Sequence, residues 1–269
     1  EIARECCSTV YVDTESDCLW WLHPTPRKEP IDVKFTVEDF FRLHGQSWKS
    51  PSIPSTEQQA VARVLAASFE SLEPLLEYLK KKSNGLSFTT RLTTQEEKRF
   101  MIACEQAGII ARAGSFEPST VLSVWSMKNR EFLKQNAWLE ALAYVACKDA
   151  GFDDVQWRLK VEGTETDFDV AATRGPLMLV CSCKSGNFKN SHLDELQAQA
   201  RLIGGSFCKK AVLLMEAVKF SKRADAMSVD RARADLEKRA RVLDIRTFYW
   251  SDYKDLGPSM KTLMSAARL

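Results

Sequence analysis

Apolar and polar positions along this chain follow two periods in turn, and the points where the period changes mark out its elements. Residues 8–35 read as short strands. STVYVDT and CLWWLH are apolar, β-rich runs, the Pro-rich PTPRKEP ends the second, and IDVKFT is a third. TVEDFFRLHG then reads as a short helix, with Thr36 as N-cap and Gly45 as the stop after its last turn. QSWKSPSIPST, rich in Ser and Pro, reads as a linker. From Thr56 the residues Val61, Leu65, Phe69, Leu72 and Leu76 recur at helical spacing as far as KKKSNG. A further helix starts at Thr94, which forms a capping box with Glu97 and has Phe100, Cys104 and Ile109 on its apolar face. Short apolar pieces ending in VLSVWS follow.

Helix, helix and short strands in this order suit a winged-helix-like module over residues 56–128. QEEKRFMIACEQ is no richer in bases than in acids, which favours a packing or dimerisation role over DNA reading. After residue 128 the pattern changes. NREFLKQNAWLEALAYVACKDAG is a strong helix, and VQWRLKVEG, DFDVAATRG and LMLVCSCKSG are three strands. SHLDELQAQARLIGG is a helix, KKAVLLMEAVK a strand, SVDRARADLEKRARVLD a charged helix and RTFYW a last strand. This is an α/β order. The expected division is a β-rich segment 1–50, the helical module 56–128 and an α/β domain 129–269.

Composition narrows the options. The chain has 269 residues, 45% of them hydrophobic, enough for one large or two smaller cored domains. Net charge is +2, so nucleic-acid contact has to come from local basic patches. Of the eight cysteines, none forms a zinc-spaced pair; Cys181 and Cys183 share one face of a strand and read as buried thiols of a reducing, cytoplasmic compartment. Three widely spaced histidines argue against a His-based zinc site or triad. No stretch is apolar enough to span a membrane.

The chemistry-bearing stretch runs from Glu140 to Lys184. Glu165-Thr-Asp167-Phe-Asp169 is an acidic run whose Asp167 and Asp169 share a strand face, and LMLVCSCKSG is an apolar strand that ends in a charge. A carboxylate on one strand and a lysine on its neighbour, with Glu140 on the preceding helix, are the parts phosphodiester hydrolysis needs. Oxygens hold a hard divalent ion, Mg²⁺ or Mn²⁺, and an ammonium orients water or neutralises the phosphorane. His192, Gln197, Gln199 and Arg201 on the next helix, and Lys209, Lys210, Lys219, Lys222 and Arg223 beyond it, are candidates for lining a nucleic-acid groove.

Trp138-Leu139-Glu140, Thr166-Asp167-Phe168-Asp169-Val170, Cys183-Lys184-Ser185-Gly186 and Gly204-Gly205 resemble, in this order, the motifs of the CARF-associated PD-(D/E)XK nucleases. These are the cyclic-oligoadenylate-activated ancillary nucleases of type III CRISPR systems. Their pattern is a helix with W-L-E, a strand with N-E-x-D-V, then E-C-K-(S/T)-G and a later Gly-Gly. The resemblance covers roughly residues 90–250. It implies a restriction-endonuclease-like domain with Asp169, Lys184, Glu140 and position 182 at the reaction centre. It also implies Mg²⁺ or Mn²⁺ held by Glu140, Asp167 and Asp169, cleavage of DNA, RNA or both in antiviral defence, a cyclic oligoadenylate activator and a homodimer. The first 45 or so residues are similar, more weakly, to the end of a CARF sensor. The sensor is therefore expected to be truncated, to lack its N-terminal part, or to be replaced by another regulator.

One position departs from the pattern: Ser182 stands where the family has Glu. Three readings follow. The acid has migrated to the next helix, to Glu195 or Asp194; or Glu140, Asp167 and Asp169 hold the ion without it; or the site is impaired and the fold serves as a nucleic-acid-binding or scaffolding subunit.

Overall fold

The structure, a computed structural model, describes residues 9–13, 18–23, 26–30, 34–49, 52–82, 85, 87–117, 120–126, 130–163, 167–185, 188–215, 226–249 and 253–265. A small antiparallel sheet comes first: β1 (Thr9–Asp13), β2 (Cys18–His23) and β3 (Arg27–Pro30), in that spatial order. β3 lies in PTPRKEP, which the sequence reads as a stop. It is an edge strand, where successive charged residues and a terminal proline are tolerated because one row of its backbone groups faces water. Of the expected strand IDVKFT, residues 31–33 lie outside the described residues and 34–36 are not in a strand.

Helix α1 (Val37–Leu43) is capped as its sequence requires: Thr36 Oγ1 accepts from Asp39 N and Asp39 accepts from Thr36 N. Gly45, at φ +65°, ends it. The expected linker holds a two-residue strand, β4 (Trp48–Lys49). The expected single helix from Thr56 is two, α2 (Thr56–Ala67) and α3 (Phe69–Lys82), broken at Ser68. The break turns α3 so that Phe69 stacks on Trp138, ring centroids 5.6 Å apart. Strands β5 (Ser87–Arg91), β6 (Ile110–Glu117) and β7 (Thr120–Trp125) form a sheet in the order β5-β7-β6, with α4 (Gln95–Gln106) between β5 and β6 in sequence. Thr94 caps α4 through the predicted box with Glu97.

The long helix expected from residue 129 is also divided, into α5 (Glu131–Lys134) and α6 (Ala137–Asp149). Asn136 between them is left-handed at φ 59°, a conformation Asn tolerates. The division puts Glu140 in the first turn of α6. Then come β8 (Asp154–Val161), β9 (Asp167–Arg174), β10 (Leu177–Lys184), α7 (Asn190–Ile203), β11 (Cys208–Leu214), α8 (Ala226–Val242), β12 (Ile245–Tyr249) and α9 (Tyr253–Ser265). One six-stranded sheet has the order β12-β11-β10-β9-β8-β4. Its strands β8 to β10 are an antiparallel meander, and β10, β11 and β12 run parallel.

The sheet is covered on both faces, so its inner strands are nearly continuous apolar runs. Leu179, Cys181, Leu213 and Phe248 pack with α6, α9 and α2; Met178, Val180, Val212 and Leu214 pack with α7 and α8. The first of these cores continues into α3 and α4, joining the helical module to the sheet. Residues 34–49 also lie on this sheet: Phe41 meets Phe168 edge-on at 5.8 Å, Val37 N donates to Asp154, and β4 pairs with β8. Cys104, Cys147, Cys181 and Cys208 are buried and free, and Cys183 is half-buried and free. Among the described residues, no helix is long and apolar enough to cross a membrane.

Candidate active site

The site forms where two paired strands part. β9 and β10 are in register from Leu177↔Arg174 to Cys181↔Val170, whereas β10 and β11 stay paired as far as Lys184↔Leu214. Past Cys181 the Asp169 side chain replaces the ladder. Its Oδ2 accepts from Cys183 N at 2.6 Å and from Ser182 Oγ at 3.2 Å, and Lys184 Nζ stands 3.9 Å away. Alternation along β10 turns Val180, Ser182 and Lys184 toward α7.

Helix α7 brings the other wall. His192, Glu195 and Gln199 recur at three- and four-residue spacing, so they form one stripe facing the strands. With Asp167, Asp169, Ser182 and Lys184 they line a small polar cavity of about 70 Å³. That volume holds a few waters or a partly hydrated ion. Glu195 is thus on the cavity, while Asp194, its neighbour, is taken by Arg239 at 2.7 and 2.9 Å. Gln199 Nε2 donates to the Asp167 carbonyl at 3.1 Å, tying α7 to β9. His192 Nδ1 accepts from Lys189 N at 3.2 Å, which leaves Nε2 to carry the proton of the neutral ring. Burial, followed by the nearby Lys184 ammonium, lowers the His192 pKa and favours that neutral ring.

Burial raises the Asp169 carboxyl above its ordinary value, against the pull of Lys184, the Cys183 N–H and the Ser182 hydroxyl. Burial raises Glu140 likewise, with Arg158 opposing. The donor set in the cavity is hard oxygen from Asp169, Glu195, Asp167 and Ser182. It fits Mg²⁺ or Mn²⁺, which take one or two carboxylates and keep several waters. Among the described residues, no three His, Cys, Asp or Glu side chains are close enough together to hold an ion by themselves.

Glu140 is not among the residues that line the cavity. Its Oε2 accepts from Arg158 Nε at 2.6 Å and Trp157 Nε1 at 3.2 Å, and its Oε1 from Arg158 Nη2 at 3.3 Å. Arg201 and Lys210 stand elsewhere, on a cavity with Gln197, Lys209 and Asp244 at the opposite end of β11. Lys210 is buried there and donates to Gln197 Oε1 and the Leu243 carbonyl, both at 2.7 Å. Lys219, Lys222 and Arg223 lie outside the described residues. Arg158 carries no mark of its role in the sequence: with Asp154, Gln156 and Lys160 it fills the polar positions of a regularly alternating strand.

No family model matches the chain, and no curated protein sequence does. Solved structures do match. Protein VC1899 from Vibrio cholerae aligns over 96% of this chain and 70% of its own, with TM-score 0.69 and 18% identity. The fold is shared. Can2 from Sulfobacillus thermosulfidooxidans, solved in complex with cyclic tetra-adenylate, aligns over 96% of this chain and 68% of its own, with TM-score 0.64 and 14% identity. Both likenesses run through the small N-terminal sheet and the helical module as well as the six-stranded sheet, since 96% of the chain is covered.

Proposed function

We propose that this protein is a metal-dependent endonuclease of the CARF-associated PD-(D/E)XK type, cleaving DNA, RNA or both in CRISPR-linked defence. The observation that carries this reading is the meeting of Asp169, Ser182, Lys184 and Glu195 on one polar cavity at the parting of β9 and β10. The meander β8-β9-β10, flanked by α6 and α7 and extended by parallel strands, supports a restriction-endonuclease-like domain. The order α2-α3-β5-α4-β6-β7, with β7 central in its sheet, supports the winged-helix-like module.

In this reading Asp169 and Glu195 hold Mg²⁺ or Mn²⁺, with Asp167 and the Ser182 oxygen beside them. The ion, when bound, neutralises phosphate charge and acidifies water. Lys184 Nζ stands beside Asp169, where it orients the attacking water and offsets charge growing on phosphorus. Glu195 fills the charge left by Ser182, which is the migrated-acid reading. Activation by a cyclic oligoadenylate and action as a homodimer follow from the motif resemblance, and the fold shared with a protein solved with cyclic tetra-adenylate supports the first.

The test is cleavage of supercoiled plasmid and single-stranded RNA with Mn²⁺, with and without cyclic tetra-adenylate. Metal-dependent cutting that falls roughly a hundredfold or more in Lys184→Ala is expected, the size of effect a positioned charge supplies. A second reading, a nuclease fold without chemistry, rests on the neutral Ser182 and on the lack of a three-acid cluster among the described residues. It holds if the wild type does not cut and Ser182→Glu does.

A further inference from the structure

Arg158 sits in the middle of β8 with a left-handed backbone, φ +53°. For a long side chain that conformation is strained and persists only where its surroundings impose it. Here it reverses the strand. In a regular strand, residues two apart share a face. Yet Val155 and Trp157 belong to the core under α6, while Leu159 and Val161 belong to the core with α1. β9 switches in step: Trp157 pairs with Val170 and Leu159 with Phe168, and these too fall in different cores. The two residues opposite each other at the switch are Arg158 and Asp169, and the pairing is interrupted there.

The reversal delivers the guanidinium to Glu140. Arg158 engages both carboxylate oxygens, Trp157 adds an N–H, and the guanidinium carbon lies 5.1 Å from the centroid of the Trp157 ring. A bidentate, half-buried pair supported by an aromatic face is far more fixed than a surface ion pair. A full positive charge therefore already stands where a divalent cation would have to approach Glu140.

We propose that Arg158 is a positioning residue that withholds Glu140 from the metal shell, so that the ion is held by Asp169 and Glu195 and the guanidinium serves as a fixed second cation beside it. This deepens the metal-dependent reading and rests on it. It separates two helix carboxylates that the sequence treats alike: Glu195 is a ligand and Glu140 is the counterion of Arg158.

The experiment is Mn²⁺ binding to the purified full chain, read by calorimetry and by the free-Mn²⁺ electron paramagnetic resonance signal. Two variants free Glu140. Arg158→Met removes the charge, and Arg158→Gly also relieves the left-handed backbone, so at least one folded variant is expected. Asp169→Asn should lose roughly tenfold or more in Mn²⁺ affinity, whereas Glu140→Gln alone should change it less than about twofold. Arg158→Met or Arg158→Gly should bind Mn²⁺ roughly fivefold tighter or take up a second ion, and adding Glu140→Gln should reverse that gain. Loss of Mn²⁺ affinity in Glu140→Gln equal to that in Asp169→Asn overturns the proposal while leaving the metal reading intact. So do Arg158 variants that lose stability with no change in Mn²⁺ binding, the mark of a purely structural role. No Mn²⁺ binding by the wild type or by either Arg158 variant overturns both.

Discussion

Asp169 does two jobs with one carboxylate: it closes the opening between β9 and β10, and it faces the cavity. Burial raises its folded pKa above the ordinary 3.8 despite Lys184. An acid whose folded value is the higher one binds its proton more tightly when folded, so it stabilises the fold below 3.8 and loses that contribution as pH rises through the folded value. Asp169→Asn is therefore expected to melt higher than the wild type at pH 7, with the gap closing below pH 3.8, in thermal scans across pH without metal. A higher melting temperature together with lost activity is the usual signature of a functional group held at a cost in stability. At this scale much was legible. Asp167 and Asp169 follow from strand alternation, Lys184 from a charge that ends an apolar strand, and Glu195 from the motif resemblance, as one place for the acid missing at position 182; all four line one cavity. What could not be read was which acids were already taken. Asp194 belongs to Arg239 and Glu140 to Arg158, and neither partner is near in sequence. A left-handed arginine also leaves no trace in a hydrophobic pattern.

Among the elements, caps and periodicity were the dependable signals. The boxes at Thr36 and Thr94 start α1 and α4 where the sequence puts them. In the second box Glu97 accepts from both Thr93 N and Thr94 N, so it satisfies two donors that a helix start leaves open. Thr94→Ala is expected to cost about 1 kcal/mol in denaturant unfolding, and Glu97→Ala a similar amount. The double variant should cost less than the sum, because each residue supports the other. Helix breaks were not legible. Nothing in the apolar spacing distinguishes Ser68 or Asn136 from helix interior; the first break answers to a tertiary contact, Phe69 on Trp138, and the second to the left-handed backbone of Asn136. Strand β3 was hidden for the opposite reason: its residues are poor strand formers and gain their place from pairing with β2.

For the molecule as a whole, the order of strands and helices after residue 129 gave the α/β class, and helix α9, unforeseen, completes the layer beside α6. Gly257 of α9 lies so close to α6 that a Cβ there would stand 2.6 Å from the Ala146 carbonyl oxygen. Gly257→Ala should push the two helices apart and cost about 1–3 kcal/mol, measured by chemical denaturation, with the cavity at Asp169 unaffected because it lies across the sheet. The sheet itself is stitched from distant parts of the chain. β8, β9 and β10 are neighbours in sequence as in space, whereas β4 reaches β8 across more than a hundred residues and β12 arrives after α8. That separation has a consequence in time. Local hairpins close early and long loops late, because the entropy of closure comes first. The meander that carries Asp169, Ser182 and Lys184 is the part free to form as soon as it is made. The strand at residue 48, synthesised long before, waits unpaired for its partner, an interval in which a nascent chain is most open to the wrong neighbour.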